Sequence, residues 1–483
     1  MKRSADTLHD YRDLREWLEI AEKLGLLKRI HGASWDLEIG AITEMEKRRA
    51  REKSSVLLFD DVPGYPAGFR LAANCANSLP MVAVSLGMRP TLTGLEFVQT
   101  WKDRMRNFSP LPPAHVAQGP VTQNVFEGQA VDLLKFPTPK WNELDGGRYI
   151  GTDCVVVTRD PEENWVNLGT YRVMVHDKDT LGLYISPGKD GRIQMEKAFK
   201  RNEPFPVAMT FGHDPLLTYI ASFHLPWATS EYDYAGWIKG KPIEVIQGPV
   251  TGLPIPAHAE IAVEGFIYPG EVRDEGPFGE FTGYYASDKQ RAPVVRVKSL
   301  MYRNDPILTG TPMGRPPAVV FYDLISSATL WNAMEAAGIQ DIRGVYMHHS
   351  APTSMFTVVS IKQRYPGHVR QTGAAAIACR GGAYMGRYYV IVDEDIDPSN
   401  LDEVIWAIAT RSDPAVDIEF MHRCWSGPLD PIVPPGKKGF NSRAIIDACR
   451  PYEWRDQFPK VVEPSAELKR RVMDKWGDII SRG

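Results

Sequence analysis

Asp274-Glu275-Gly276-Pro277-Phe278-Gly279-Glu280-Phe281-Thr282-Gly283-Tyr284-Tyr285 stands between two runs rich in β-branched and aromatic residues, Glu260 to Phe266 and Val294 to Met301. Its two carboxylates Glu275 and Glu280 are separated by Gly-Pro-x-Gly, a composition that forces a turn and lets backbone approach a neighbour closely. Phe278 and Phe281 flank Glu280 and would withdraw it from water, which raises a carboxyl's pKa toward the range a general acid needs. A surface loop with solvated carboxylates is the alternative. Composition alone leaves the two readings evenly matched.

Outward from this stretch, residues 120–310 share one texture. Short strand-like runs recur at Cys154 to Val157, Trp165 to Val175 and Pro206 to Phe211, with turn residues between them, which predicts a twisted sheet or barrel with few helices. The loop holding Pro110, Pro112, Pro113, Gly119 and Pro120 bounds it on one side, and the Gly- and Pro-rich segment Thr309 to Pro317 on the other. Before the first boundary, residues 9–30 carry Leu14, Trp17, Leu18, Ala21 and Leu24 at helical spacing. A second helix is expected over 36–50, a strand from Ser55 to Asp60, and mixed helix and turn from Leu92 to Asn107. Beyond the second boundary, Leu330, Trp331, Met334 and Ala337 share a helical face that Gly338 ends. Strand-like Met355 to Ile361 and Tyr388 to Val392 then alternate with a helix at Leu401 to Thr410, as in an α/β domain. After the loop with Pro431, Pro434 and Pro435, a tail helix from Ser465 sets Leu468, Val472, Trp476 and Ile479 on one face.

The 483 residues are 43% hydrophobic and 24% charged, with a formal charge of −4 and a pI near 6.3. That profile suits an ordinary globular protein of two to four domains and argues against bulk electrostatic capture of nucleic acid or acidic membranes. Met1-Lys2-Arg3-Ser4 leads into a charged amphipathic helix with no apolar core of a signal peptide, and no apolar run is long enough to span a bilayer. Five scattered cysteines, Cys75, Cys154, Cys379, Cys424 and Cys449, form no Cys-x-x-Cys. They fit reduced thiols in a cytoplasmic protein.

Three further stretches can carry chemistry. In Trp165 to Arg172, Asn167 and Arg172 would face opposite sides of one strand unless Gly169 makes a bulge, and Arg172 could fork onto a carboxylate. For a lone Arg, a structural ion pair at a strand edge is the simpler reading. Tyr184-Ile185-Ser186-Pro187-Gly188-Lys189-Asp190-Gly191-Arg192 is a glycine-containing basic loop that suits a phosphate, yet lacks P-loop spacing and taken alone reads as a plain turn. Ala221-Ser222-Phe223-His224-Leu225-Pro226 precedes Ser230-Glu231-Tyr232, where Glu231 could share a hard cation with Asn167 or simply follow a Ser helix cap. His348-His349 has no further ligand at metal spacing and reads as structural or substrate-lining, and Lys437-Lys438 as a solvated loop.

Taken in order, Asn167…Arg172, Ser186-Pro187-Gly188-Lys189, Ser230-Glu231-Tyr232 and Glu275-Gly-Pro-Phe-Gly-Glu280 resemble the successive active-site motifs of the UbiD decarboxylase family. Asp13-Leu14-Arg15, Gln363-Arg364-Tyr365-Pro366-Gly367-His368 and Ile446-Asp447-Ala448 extend the resemblance over essentially the whole chain. It implies an α+β multidomain fold: a mixed α/β domain over 1–117, a central split β-barrel of flavin-reductase type over 118–312, and a C-terminal α/β domain with the tail helix over 313–483.

The resemblance also implies a site. Its cofactor is prenylated FMN, supplied by a flavin prenyltransferase, with the phosphate held through Mn²⁺ (or Mg²⁺) and K⁺ nearby. Carried over residue by residue, Asn167 and Glu231 match metal ligands, while Asp190 stands where the family often has a His. Thr170, Tyr171, Arg172, Ser186, Lys189, Ala221, Ser222 and Phe223 fall on flavin-contacting segments, and Arg387 stands near a family Lys. Arg172, Glu275 and Glu280 match the catalytic set, with Arg172 orienting the substrate carboxylate, Glu275 fixing Arg172, and Glu280 delivering a proton. The implied reaction is reversible, non-oxidative decarboxylation of an aromatic, heteroaromatic or α,β-unsaturated acid by a homo-oligomer (dimer or hexamer). The Ser-Pro-Gly-Lys form of the loop resembles branches acting on ring acids. An FMN oxidoreductase and a flavin-binding protein without chemistry are the alternatives. No nicotinamide fingerprint favours the first, and the intact Arg172, Glu275 and Glu280 argue against the second. Which acid is used, and whether free or as a coenzyme A thioester, is open.

Overall fold

The computed structural model describes residues 11–480 apart from 52, 224, 287, 316–319, 353, 435 and 438. The chain's first residues, and His224, Pro317, Pro435 and Lys438 among the motifs above, lie outside the described residues. The opening helix runs Leu14–Lys23 and buries Leu14, Trp17, Leu18 and Ala21. It is shorter than the 9–30 stretch suggests. The chain turns at Leu24-Gly25, and Leu27–His31 forms a strand parallel to Val56–Asp60. Leu26 and Leu27 prolong the apolar spacing, yet they pack beside Val56 and Leu58 as part of a sheet.

Asp13 and Arg15 tie this helix to the centre of the molecule. Asp13 caps it by accepting from the amides of Arg15 and Glu16 and receives Arg303 Nη1 at 2.8 Å. The Arg15 guanidinium forks onto the buried Glu260 with both contacts at 2.8 Å, a geometry that adds direction as well as energy. The N-terminal sheet has four strands in the order Leu27–His31, Val56–Asp60, Arg70–Ala73, Ile307–Gly310. Its last member arrives from far along the chain and pairs parallel to Arg70–Ala73.

The centre is one nine-stranded antiparallel sheet. Its path runs Arg148–Gly151, Arg172–Val175, Thr180–Tyr184, Gln290–Tyr302, Ile261–Glu275, Phe205–Phe211, Cys154–Arg159, Val166–Gly169, with Asn124–Glu127 added beside Gln290–Tyr302. The stretch from Trp165 to Val175, read from sequence as a single run, is therefore two strands. Val166–Gly169 closes one end of the path, and Arg172–Val175 lies next to the other. Only Thr170 and Tyr171 join them. Consecutive Cα atoms are about 3.8 Å apart, so three steps can bridge at most about 11 Å. The sheet has to curl until its two ends almost meet. The question of a bulge at Gly169 does not arise, because Asn167 and Arg172 do not share a strand.

Three helices, Asp190–Lys200, Pro215–Ala221 and Glu231–Lys239, lie against this sheet, where the sequence predicts few. Every residue of Pro215–Ala221 is buried, so the segment carries no amphipathic period to betray it. The C-terminal part follows the expected alternation. Val320–Ala336 ends at Gly338, whose φ of +89° and the Ile339 N–H to Met334 carbonyl bond of 3.1 Å form the left-handed helix stop. Five strands follow in the order Ile342–Met347, Phe356–Ile361, Tyr388–Asp393, Phe440–Ala448, Ile418–Trp425. One continuous core, including Trp101, Tyr219, Phe321 and Trp331, joins all three parts. The tail helix Ala466–Ile480 keeps Leu468, Val472, Met473, Trp476 and Ile479 exposed. Among the described residues, no helix is long and apolar enough to cross a membrane.

Candidate active site

Arg172 opens its strand directly opposite Tyr184, the last residue of Thr180–Tyr184. Cross-strand neighbours share a face, and the guanidinium lies 4.4 Å from the centre of the Tyr184 ring and 5.4 Å from that of Phe278. Glu275 ends the long Ile261–Glu275 strand. Its carboxylate accepts from Arg172 Nε and Nη2, each at 2.8 Å. The remaining Arg172 nitrogen, Nη1, donates to Glu280 Oε1. All three groups are buried, with side-chain exposures of 8% for Arg172, 0% for Glu275 and 8% for Glu280.

The solvated-loop reading of Glu275 and Glu280 is therefore overturned, and the ion-pair reading of Arg172 holds in a setting where both partners have left water. Burial pushes the Glu280 carboxyl up to about 7. The Arg172 charge opposes that rise, and Glu275 and Asp145 add to it. Phe278 is buried, as the sequence predicts, and Phe281 is half-buried. A fixed guanidinium can orient an anion, and a carboxyl beside it that holds its proton near neutrality can release one.

The sequence reading missed the segment that runs alongside this loop. Tyr149 donates to Glu275 Oε1 at 2.9 Å and packs on Phe278 with ring centres 4.5 Å apart. The Gly146 amide donates to the Pro277 carbonyl at 2.8 Å, and the Gly279 amide to Asp145 Oδ1 at 3.0 Å. A Cβ on Gly146 would stand 2.0 Å from the Gly276 carbonyl oxygen, so only glycine permits so close an approach. Two signals were available, the Asp145-Gly146-Gly147 turn and an aromatic two positions after it. Neither resembles a site without a partner strand in view.

Across the Thr170-Tyr171 link a second cluster forms. Asn167 is buried, donates through Nδ2 to Thr158 Oγ1 at 3.1 Å and hydrogen-bonds the Tyr171 hydroxyl, which also receives the Gly191 amide at 3.3 Å. Glu231, 4% exposed, accepts the Leu168 amide at 2.7 Å. Among the described residues it has no basic partner within ion-pair distance. Burial pushes it up to about 8, the Leu168 amide opposing and the nearby Asp190 adding to the rise. Asp190 opens its own helix beside Lys189. Burial raises its carboxyl while Lys189 and Arg380 pull it down. Burial in turn lowers the Lys189 ammonium, against the pull of Asp190. Ser230 was expected as a helix cap, but among the described residues it makes no side-chain cap bond and its buried Oγ has no partner. The proposed metal residues Asn167, Asp190 and Glu231 thus share one neighbourhood.

Thr170 Oγ1 lies 3.1 Å from Ser222 Oγ, which bonds back to the Thr218 carbonyl at 2.8 Å. Ala221, Ser222 and Phe223 lie at the end of the helix Pro215–Ala221, and the Ser186 carbonyl accepts the Lys189 amide at 3.3 Å. Arg387 stands elsewhere in its contacts. Its Nη2 reaches both oxygens of the fully buried Asp430, at 2.6 and 2.8 Å. His348 is buried and lies 2.9 Å from the Pro398 carbonyl, and burial holds its ring down at about 4. That is a structural histidine. Among the described residues, no three His, Cys, Asp or Glu gather as a metal site; the oxygen cluster here is two carboxylates and an amide.

Models of the N-terminal domain, the Rift-related domain and the C-terminal domain of 3-octaprenyl-4-hydroxybenzoate carboxy-lyase match residues 18–101, 114–316 and 319–448. A phenolic acid decarboxylase of Streptomyces sp. (strain D7) is 31% identical over 481 residues, covering 96% of this chain and 99% of the relative. The chain belongs to the UbiD family of carboxy-lyases. A pyrrole-2-carboxylic acid decarboxylase of Pseudomonas aeruginosa is also 31% identical, over 96% of this chain and 98% of its own length. Among solved structures, the vanillic acid decarboxylase of Sedimentibacter hydroxybenzoicus in closed form superposes on this UbiD-family chain with a TM-score of 0.82 at 28% identity, covering 98% and 99% of the two chains. The UbiD-class enzyme HmfF from Pelotomaculum thermopropionicum in complex with FMN also gives 0.82, at 25% identity over 94% and 98%.

Proposed function

We propose that this chain decarboxylates an aromatic or heteroaromatic carboxylic acid, reversibly, with prenylated FMN as its cofactor. The observation that carries the reading is the buried Arg172 held between Glu275 and Glu280, in a chain of the UbiD family. Support for a ring acid comes from relatives named for phenolic and pyrrole-2-carboxylic acids, and support for a flavin from the solved relative that holds FMN. The central sheet, curled as described, is read as the split barrel that carries it.

The residues at the second cluster fit such a cofactor. A flavin phosphate brings negative charge and acceptor oxygens, and the half-buried Lys189, the paired Thr170 and Ser222 hydroxyls and the Ser230 hydroxyl, without a partner among the described residues, are suited to receive it. Glu231, Asn167 and Asp190 offer hard oxygen donors that suit Mn²⁺ or Mg²⁺ rather than Zn²⁺. When bound, the prenylated flavin supplies the electron sink that a departing carboxylate requires. The chain's own residues do the rest. Arg172 binds and orients the substrate carboxylate; Glu275, held by Tyr149, fixes the guanidinium; and Glu280 gives its proton to the carbon that CO₂ has left. The same groups serve carboxylation in reverse.

The direct test is CO₂ release from a panel of ring acids. Protein made without a flavin prenyltransferase is expected to be folded and inactive, and maturation with prenylated flavin under mild oxidation to restore turnover. Full activity with plain FMN, or with no flavin, would sink the proposal. A second expectation concerns Glu231. Glu231→Ala removes the carboxylate nearest the Leu168 amide, and both metal and flavin are expected to be lost together, by metal analysis and visible absorbance. Wild-type occupancy of both would show that Glu231 holds neither.

A further inference from the structure

We infer that Asp145 is a positioning residue for Glu280, acting through the peptide that precedes it. The inference rests on the reading of Glu280 as proton donor. It starts from the 4% exposure of Asp145 and from what its two oxygens hold. Oδ1 accepts the Gly279 amide at 3.0 Å, and Oδ2 accepts the Asn142 amide at 2.9 Å. The first of these fixes the residue immediately before Glu280. The second fixes Asp145 itself, so the carboxylate bridges two loops as a rigid pin.

The surroundings agree at each step. The Gly146 amide holds the Pro277 carbonyl, and the Leu144 amide donates to the Tyr285 hydroxyl at 3.2 Å, beyond Glu280 on the other side. Residues 144–146 therefore grip the loop before and after the donor. Behind them the helix Glu38–Ala50 takes part. Its Gly40 packs against the Trp141 carbonyl, and the wholly buried Lys47 donates through Nζ to the Pro312 carbonyl at 2.6 Å. The Met313 carbonyl in turn lies beside Gly279. A donor must be held within a fraction of an ångström of the carbon it protonates, and such precision comes from neighbours that lock its backbone and rotamer.

The test uses holoenzyme carrying Asp145→Ala, Asp145→Asn or Glu280→Gln. For Asp145→Ala, kcat is expected to fall about tenfold with KM and flavin content unchanged and the melting temperature lowered by a few degrees, because two amides lose their acceptor, and the solvent deuterium isotope effect on kcat to rise as proton transfer slows. Asp145→Asn retains an acceptor for the Gly279 amide and is expected to recover about half of that loss on a logarithmic scale. An unchanged kcat and isotope effect in Asp145→Ala, alongside a crippled Glu280→Gln, would refute the positioning role and leave the donor intact. A wild-type rate in Glu280→Gln would instead remove the donor, and this inference with it. Loss of flavin or KM effects as large as the kcat effect would make Asp145 a structural residue and overturn the proposal.

Discussion

Glu280→Gln is expected to lower turnover by about 10²–10⁴-fold, the usual cost of losing a positioned acid. The substitution keeps size and one hydrogen-bond acceptor for Arg172 Nη1, so cofactor content and substrate binding stay near wild type. The pH profile carries a second signature. Because burial holds the Glu280 carboxyl at about 7, the donor is protonated below that value and spent above it. Wild-type activity therefore falls as pH rises through neutrality, and the variant's residual rate lacks that limb. Measuring kcat from pH 5 to 9 for both proteins checks the assignment. An identical falling limb in the variant would mean that another group supplies the proton.

Arg172→Ala is expected to abolish measurable turnover, a loss of at least about 10²–10³-fold, the scale seen when one preorganised donor to a developing charge is removed. It also leaves Glu275 and Glu280 facing each other inside the protein. Removing one partner of a buried ion pair costs about 3–5 kcal/mol, because the other is left uncompensated. Denaturant unfolding at pH 5 and pH 8 separates the two effects. The destabilisation is expected to be smaller at pH 5, where Glu280 takes up a proton, and larger at pH 8. Arg172→Lys keeps the charge but not the fork that meets Glu275 through Nε and Nη2. It is expected to recover stability more fully than rate. Equal recovery of both would mean that the guanidinium geometry is not used in catalysis.

Much of this was legible in residues whose neighbours are local. The helical face of Leu14–Lys23, the stop at Gly338 and the strand at Phe356–Ile361 all follow from spacing within a few positions. Glu275 and Glu280 could be marked from the turn between them and the two phenylalanines. Tyr149 and Asp145 could not, because what gives them meaning is 126 residues away for the first and 134 for the second. Leu27–His31 was lost to a neighbouring helix whose apolar rhythm it continues, and Pro215–Ala221 to its uniform burial. The split of Trp165 to Val175 into two strands was hidden for a different reason. Both halves carry the same β-forming composition, and only the closure of the sheet assigns them to opposite ends.

That closure has a consequence for how the enzyme can change. Thr170 and Tyr171 are a covalent ruler between the cluster at Asn167 and the guanidinium of Arg172. No rearrangement of side chains can lengthen it, and an inserted residue would throw one of the two strands out of register. On the proposed roles, the end that anchors the cofactor and the end that meets the substrate carboxylate thus keep one backbone separation whatever acid enters. Adaptation to a larger or differently substituted ring has to be made in the walls around that fixed span, where substitutions leave the ruler untouched.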